Sequence, residues 1–347
     1  DLFQINEYLN TKFSKKKLSI KNSKFFYLNS NDEVISIFPI KKLTLFFDEK
    51  KKLNILDSKG RFFTIPYIFN WTKNFEKNFN FSSLKIQELN TKIENFSKAK
   101  DSVKTIENII SFRNIQIETD INIKDNLIEI NSKDVSKTKN DSLNYDGYIE
   151  LKPFNSKFNI NLKKLNFQKN IIKNNLLVNI FEKEAIYNKN LTSTINLNID
   201  KLNKSKLFDS SQIKINIKNG NIDFDKSVFN GTVGSLKLIN SRINNFKDDL
   251  VFNGDFIFII SSKDIFYKLF QVGKKDRKNI ENIYFNLEFN LTKNNFKIDN
   301  LTFDPGQIKN EEELDEFLKN YSNDSKGINW IDFKNFTKKI FLDYFEG

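Results

Sequence analysis

The stretch ENIYFNLEFNL (281–291) decides the fold, because its apolar residues fall at every second position. Ile283, Phe285, Leu287 and Phe289 alternate with polar residues or with Tyr284. A period of two residues is typical of a β-strand that has one buried face and one solvated face. The stretch therefore predicts an antiparallel sheet, since the strands of a parallel α/β core read as continuous apolar runs.

The same alternation recurs along the chain and defines a set of inward-facing candidate residues. Turn signals separate the alternating segments; the clearest is Lys218-Asn219-Gly220-Asn221, because an Asn-Gly pair tolerates the positive φ of a tight hairpin. The candidates for an apolar sheet face, which is either an ordinary core or the lining of a lipid groove, are Ile195, Leu197, Ile199, Ile213, Ile215, Ile217, Phe256, Phe258, Ile260, Ile283, Phe285, Leu287 and Phe289.

Ile68 to Phe79 is ambiguous, and three other segments show the pattern of a helix. They are Asp264 to Val272, Glu311 to Tyr321, and the last segment, Asn329 to Phe345. The acidic residues that open the second segment suit a helix N-terminus. Helices this few and short cover little of the apolar surface that the strands present, and an uncovered apolar face is an aggregation hazard.

We therefore predict a mainly β fold: a long antiparallel meander curled into an elongated, groove-like or taco-like sheet, with a few short helices including a C-terminal one. The chain lacks a Pro-, Gly- and Ser-rich linker, so residues 1–347 are expected to form one continuous β-rich unit. A softer division separates an N-terminal part (1–133), a β-groove part (145–305) and a C-terminal helical cap (306–347).

The composition argues against catalysis. The 347 residues include no His and no Cys, which removes the commonest general base and the usual zinc and iron ligands. Asp223 and Asp225 are close enough in sequence to chelate a cation, but two carboxylates fall short of the six to eight oxygens that calcium prefers. We expect no enzyme activity, no cofactor and no metal site.

The formal charge of +12 gives only weak support for an anionic partner. The chain has 56 Lys and Arg residues together, of which only four are Arg, whereas sites that read nucleic acid favour the bidentate fork of Arg. The aromatic residues also alternate away from the cations, while a nucleic-acid site needs both on one exposed face. Nucleic acid is therefore not the expected partner.

Parts of the sequence resemble the AsmA-like proteins of Gram-negative bacteria. The similar segments are FNGTVGSLKLINSRINNFKDDLVFNGDFIFII (229–260), SSKDIFYKLFQVGKKDRKNIENIYFNLEFNL (261–291), NNFKIDNLTFD (294–304), and residues 29–71. The resemblance implies a repeating β-groove that moves phospholipid toward the outer membrane or maintains envelope integrity. It also implies a periplasmic location and an inner-membrane anchor, and the expected N-terminal membrane helix is absent from this chain.

A second candidate site lies around the first helical segment. Apolar residues beside several cations are typical of a contact with an anionic membrane surface. The alternative is a helix that plugs one end of the sheet beside a solvated loop. The candidate residues are Phe266, Tyr267, Phe270, Lys274, Lys275, Arg277 and Lys278.

The sequence thus favours a non-enzymatic envelope protein whose apolar groove binds or guides the acyl chains of phospholipid or another lipid. Two other interpretations of the protein's function stay open. One is a structural or interaction β-solenoid with a packed interior, and the other is a basic surface binder of nucleic acid or anionic polysaccharide. The sequence does not indicate a protein partner, the lipid's identity or the direction of transport.

Overall fold

The computed structural model describes residues 8–28, 34–62, 65–88, 90–100, 103–112, 115–124, 126–133, 143–151, 153–166, 187, 189, 191–246, 249–293, 295–324 and 330–346. The chain divides into two compact units. Unit 1 comprises residues 1–137, 146–155 and 183–185, and unit 2 comprises residues 138–145, 156–182 and 186–347.

The described elements are mostly strands, which confirms the predicted mainly β fold. Ten strands run from the start of the chain to residue 151: β1 Leu18–Leu28, β2 Val34–Asp48, β3 Leu53–Phe62, β4 Ile65–Asn74, β5 Phe79–Ile86, β6 Thr91–Lys100, β7 Val103–Phe112, β8 Ile115–Lys124, β9 Leu127–Ser132 and β10 Leu143–Leu151. The strands that follow are β11 Phe154–Leu162, β12 Leu165–Asn166, β13 Thr192–Ile199, β14 Leu202–Asn203, β15 Ser210–Lys218, β16 Asn221–Asp223, β17 Val228–Asn230, β18 Gly234–Phe246, β19 Asp249–Ile260, β20 Asn282–Asn290, β21 Asn295–Asp304, β22 Gln307–Ile308 and β23 Phe345–Glu346.

Unit 1 is an antiparallel meander in which each strand from β1 to β9 pairs with the next one in sequence. The turns that join these strands use residues with positive φ, such as Lys52 (φ 56°), Asn78 (φ 47°) and Asn90 (φ 48°). Asn enters this left-handed region at low cost because its short polar side chain can hydrogen-bond locally. Short turns and alternating strands together give the predicted meander.

Unit 2 contains a second antiparallel meander, β18 to β21, and the helices α1 (Lys263–Leu269), α2 (Glu311–Asp324) and α3 (Trp330–Lys339). A π-helical turn, Ile340–Tyr344, extends α3. Buried residues of all three helices form one hydrophobic cluster with the apolar face of the strands. The helices therefore cover the sheet face in this part of the chain.

The three predicted helical segments are all helical, with altered bounds. The first helix is shorter than predicted and stops at Leu269, after which Val272 donates its backbone N–H to the carbonyl of Tyr267 (2.9 Å). The second runs on to Asp324, and the third begins at Trp330; residues 325–329 lie outside the described residues. The predicted Asn-Gly turn is confirmed, since it joins β15 to β16 with Gly220 at φ 76°.

Candidate functional site

The predicted apolar residues of unit 2 share one sheet face. Ile195 lies opposite Ile215, and Leu197 lies opposite Ile213. On the later strands, the rings of Phe256 and Phe285 stack with centroids 5.1 Å apart. The register therefore brings the predicted residues into contact across strands. The remaining cross-strand pairs that contain predicted residues are Ser193–Ile217, Ile199–Ser211, Phe258–Ile283, Gly254–Leu287 and Phe252–Phe289, while Ile260 pairs with Gly234.

The helices close this face at β19 to β21. Phe258, Ile260 and Ile283 are buried in the same cluster as Leu314 of α2 and Phe336 of α3. The neighbouring side chains of Phe285, Leu287 and Phe289 are partly buried and pack against that cluster. An acyl chain would have to displace the helices to reach these residues, so this part of the predicted lining is a packed core in the structure.

The predicted membrane-contact segment is likewise built into the core. Phe266, Tyr267 and Phe270 are each at most 2% exposed. The rings of Phe266 and Tyr267 pack edge-on against Phe341, with centroids 5.4 and 5.5 Å away. These three aromatic side chains are therefore not presented to a membrane, because their surface is already used inside unit 2. The exposed apolar residue of α1 is Ile265.

The cations of that segment are held in different ways. Arg277 donates from Nη1 to Asp264 Oδ1 at 3.1 Å and lies over the ring of Tyr267. Tyr267 donates its hydroxyl to the carbonyl of Lys278 at 2.6 Å, and burial raises the pKa of that phenol. Lys274 and Lys275 are exposed. These bonds hold Arg277 and Lys278 against α1.

A shallow polar pocket of about 560 Å³ contains the two predicted carboxylates, Asp223 and Asp225. Asp223 accepts a hydrogen bond from Asn216 Nδ2 (2.7 Å), and Asp225 accepts from the backbone N–H and hydroxyl of Ser241 (2.7 and 3.1 Å). Asp223 is thus bonded to β15 and Asp225 to β18. Among the described residues, no group of three or more acidic side chains is arranged to hold a metal ion.

Unit 1 presents a second apolar face, which the sequence analysis did not select. Side chains at alternate positions of one strand lie on one face, and the register places the following residues in one row across neighbouring strands: Leu43, Ser58, Phe69, Leu84, Ile93, Ile110 and Ile117. We call the face that carries this row the inner face. Most of the row is apolar and half-buried, whereas Ile117 is buried.

One end of the inner face is covered by the chain itself. Phe13 is buried, with its ring centroid 5.9 Å from that of Trp71, which lies on the inner face one row away from Phe69. The backbone N–H of Phe13 donates to Asn54 Oδ1 (2.9 Å), and Asn54 Nδ2 donates to the carbonyl of Thr11 (2.7 Å). Within the described part of unit 1, the only helical residues are 8–10, and no helix packs on strands β5 to β8.

Polar side chains occupy the rows beside the apolar row. Asn95 Nδ2 donates to Asn108 Oδ1, and the buried Thr119 follows Asn108 in the same row. One row further on, Lys73 Nζ donates to Asn10 Oδ1 (2.5 Å), and burial lowers the pKa of Lys73. The buried amide oxygen of Asn80, opposite Lys73, has no hydrogen-bond partner among the described residues. On β5 and β6 the inner face is thus apolar along one row and polar along the next two.

Comparisons with known proteins give no match: neither a protein-family model nor a curated protein corresponds to this chain. The resemblance to AsmA-like proteins therefore stays a prediction. The fold and the inner face together define a mainly β protein with a long, partly covered apolar sheet face. No helix within the described ranges is both long and apolar enough to cross a membrane.

Proposed function

We propose that this protein binds the acyl chains of lipid along the inner face of unit 1. The observation that carries the proposal is the contrast between the two units. In unit 2, α1 to α3 cover the strand face at β19 to β21, whereas on β5 to β7 the described chain leaves the apolar row half-buried. An acyl chain laid along that row would remove the remaining apolar surface from water at about 0.8 kcal/mol per buried methylene.

The polar rows of the inner face suit the other end of a lipid. Lys73 supplies a cation, and Asn80 supplies an amide group whose oxygen is unpaired among the described residues. A headgroup held there would keep its hydrogen bonds while the chains lie on the apolar row. A phospholipid combines these two chemistries, which is why it is the proposed ligand class.

The wider role follows from the family resemblance alone. A periplasmic protein anchored in the inner membrane would use such a face to guide phospholipid between the two membranes or to maintain the outer membrane. The packed core of unit 2 favours a second function for that part of the chain, namely a structural or interaction module with a filled interior.

A charge placed on the apolar row tests lipid binding. Leu84→Glu puts a carboxylate in the centre of the row, where a neighbouring acyl chain would desolvate it. The matched control is Lys85→Glu, because Lys85 is the next residue, is exposed and points to the opposite face. We expect a fluorescently labelled phosphatidylglycerol to bind the wild type and the control, and to bind Leu84→Glu at least tenfold more weakly.

Two results would contradict the proposal. The first is a folded wild-type protein that neither co-purifies with lipid in native mass spectrometry nor binds the labelled lipid. The second is equal binding by Leu84→Glu and the wild type. Retention of lipid at high salt excludes the basic-binder alternative, whose affinity would fall steeply with salt. Phe258→Asp is a poor test, since Phe258 lies in the helix-covered core and its replacement is expected to unfold unit 2.

A further inference from the structure

Two lysine side chains meet at the covered end of the inner face. The ammonium group of Lys73 lies 5.1 Å from the ring centroid of Phe75, and that of Lys12 lies 5.6 Å from the same centroid. Lys12 is equally close to the ring of Phe47, which packs edge-on against Phe75 with centroids 6.2 Å apart. An aromatic face attracts a cation at such distances, so these rings gather two positive charges around one point.

The segment that carries Lys12 is fixed to the sheet by hydrogen bonds. Asn54 of β3 is fully buried, and its side-chain amide bonds to the backbone of Thr11 and of Phe13. These two residues flank Lys12 on either side. The backbone around Lys12 is therefore ordered before any ligand binds, which lowers the entropic cost of binding there.

Neither lysine forms an ion pair within the part of the chain that the structure describes. The ion pairs found there involve other cations, and Lys73 instead donates to the neutral amide oxygen of Asn10. Burial lowers the pKa of Lys73, because its surroundings disfavour the charged form. An ammonium group has three donors, so Lys73 is able to bind an anion as well as Asn10. An anion held there would balance the two charges.

The adjacent position on β5 offers a hydrogen-bond acceptor. Asn80 lies directly opposite Lys73, and the side chains of such a pair project from the same face of the sheet. The amide oxygen of Asn80 is buried and accepts no hydrogen bond among the described residues. A buried acceptor without a donor is costly, so a ligand hydroxyl that donates to this oxygen would be favoured. A choline headgroup has no such donor, because its nitrogen carries no hydrogen.

We propose that this end of the inner face selects lipids whose headgroup is an anionic phosphate that bears a hydroxyl group, the chemistry of a phosphoglycerol. Lys73 donates to the phosphate, Lys12 adds a second positive charge on the same ring, and Asn80 accepts from the hydroxyl. This inference rests on the proposed binding of acyl chains to the inner face and adds a preference among phospholipids. Soluble glycerophosphates share the polar chemistry, but the neighbouring apolar row favours the lipid.

The test compares fluorescently labelled lipids that have the same acyl chains and different headgroups. We expect the whole chain to bind phosphatidylglycerol on the order of tenfold more tightly than phosphatidylcholine, since the choline lipid adds a cation and lacks the hydroxyl donor. Lys12→Gln and Lys73→Gln should each lower this ratio severalfold, because a cation beside an anionic headgroup contributes roughly fivefold. The matched control is Lys85→Gln, which removes the same charge from an exposed position on the opposite face and should leave the ratio unchanged.

A second comparison isolates the hydroxyl group. Phosphatidylmethanol carries the same charge as phosphatidylglycerol but has no headgroup hydroxyl, so it should bind the wild type about fivefold more weakly, the factor expected for one hydrogen bond. Asn80→Leu should bind these two lipids equally. Glycerophosphate in large molar excess should not displace the labelled lipid, since it has no acyl chain to bury.

Equal affinity of the wild type for phosphatidylglycerol and phosphatidylcholine would overturn this inference and leave acyl-chain binding intact. It would also be overturned by an equal change in Lys85→Gln, by a hydroxyl preference that persists in Asn80→Leu, or by displacement with glycerophosphate. The absence of all lipid binding would overturn the proposed function as well. Because each readout is a ratio of two affinities of one protein, a variant that folds poorly would lower both affinities and would not imitate a lost preference.

Discussion

Replacing Phe341 with Ala should strongly destabilise the helix-covered core of unit 2. Phe341 is 2% exposed, and its ring contacts the rings of Phe266, Tyr267, Phe303 and Phe345 with centroids 5.4 to 5.6 Å away. The ring thus joins the π-helical turn after α3 to α1 and to strand β21. Truncation of a buried Phe to Ala costs about 3–5 kcal/mol, and the loss of four aromatic contacts places the expected value in the upper half of that range.

The assay is urea unfolding followed by the fluorescence of Trp330. Its ring centroid lies 5.9 Å from that of Phe270 in the same cluster, so its emission should report the loss of this core. Trp71 is the other Trp in the chain and should be replaced by Phe in both proteins, so that one signal remains. The control is Ile331→Ala: Ile331 follows Trp330 in α3 and is 63% exposed, so its replacement should change the free energy of unfolding by less than about 0.5 kcal/mol.

A loss of less than about 1 kcal/mol in Phe341→Ala would refute this account of the core. It would mean that the C-terminal helices rest on the strand face without stabilising it. The strand face would then be accessible to an acyl chain, and the conclusion that the helices close this face of unit 2 would be wrong. A loss of the expected size, together with dye binding to newly exposed apolar surface, would support it.

Two further predictions concern residues of unit 2. Burial raises the pKa of Tyr321 from 10.0 to about 12, so the phenol holds its proton more tightly in the folded state than in the unfolded state. The free energy of unfolding is therefore expected to fall as the pH rises from 10 towards 12. Urea unfolding across this range should show a smaller fall in Tyr321→Phe than in the wild type. Gly234→Ala should lower the free energy of unfolding by about 1–3 kcal/mol, because its Cβ would lie 2.1 Å from the backbone oxygen of Ile259. In Gly273→Ala the new Cβ meets only the side-chain oxygen of Asp276, so a similar loss in both Gly variants would contradict this steric explanation.

The strand pattern was predictable because alternation is a local property. Phe285 and Leu287 lie on the sheet face that their spacing indicates. A bulge between Ile239 and Arg242 changes which positions of β18 face the core, so that Leu238 and Ile243 lie on the same face. Asn240 at φ 49° is the local sign of that bulge, but the sequence holds many Asn residues and does not mark this one.

The candidate site was harder to predict because it depends on which faces are covered. The C-terminal helices were expected from their spacing, but spacing does not tell which sheet face receives Phe336 or Phe341. The inner face of unit 1 was missed for a different reason. Ser58 stands in its apolar row between Leu43 and Phe69, and the polar rows beside it weaken the alternation along each strand. Only the register across strands aligns the apolar residues.

The pairing order of unit 1 also bears on how such a protein could change in evolution. Each strand from β1 to β9 bonds only to its neighbours in sequence within the described ladders, so its contacts are short-range. Insertion or deletion of one hairpin would alter the inner face by about 10 Å, twice the spacing of adjacent strands, and leave the remaining pairs intact. The length of the apolar row is therefore a quantity that gene duplication can adjust in steps, much as in repeat proteins whose modules contact only their neighbours.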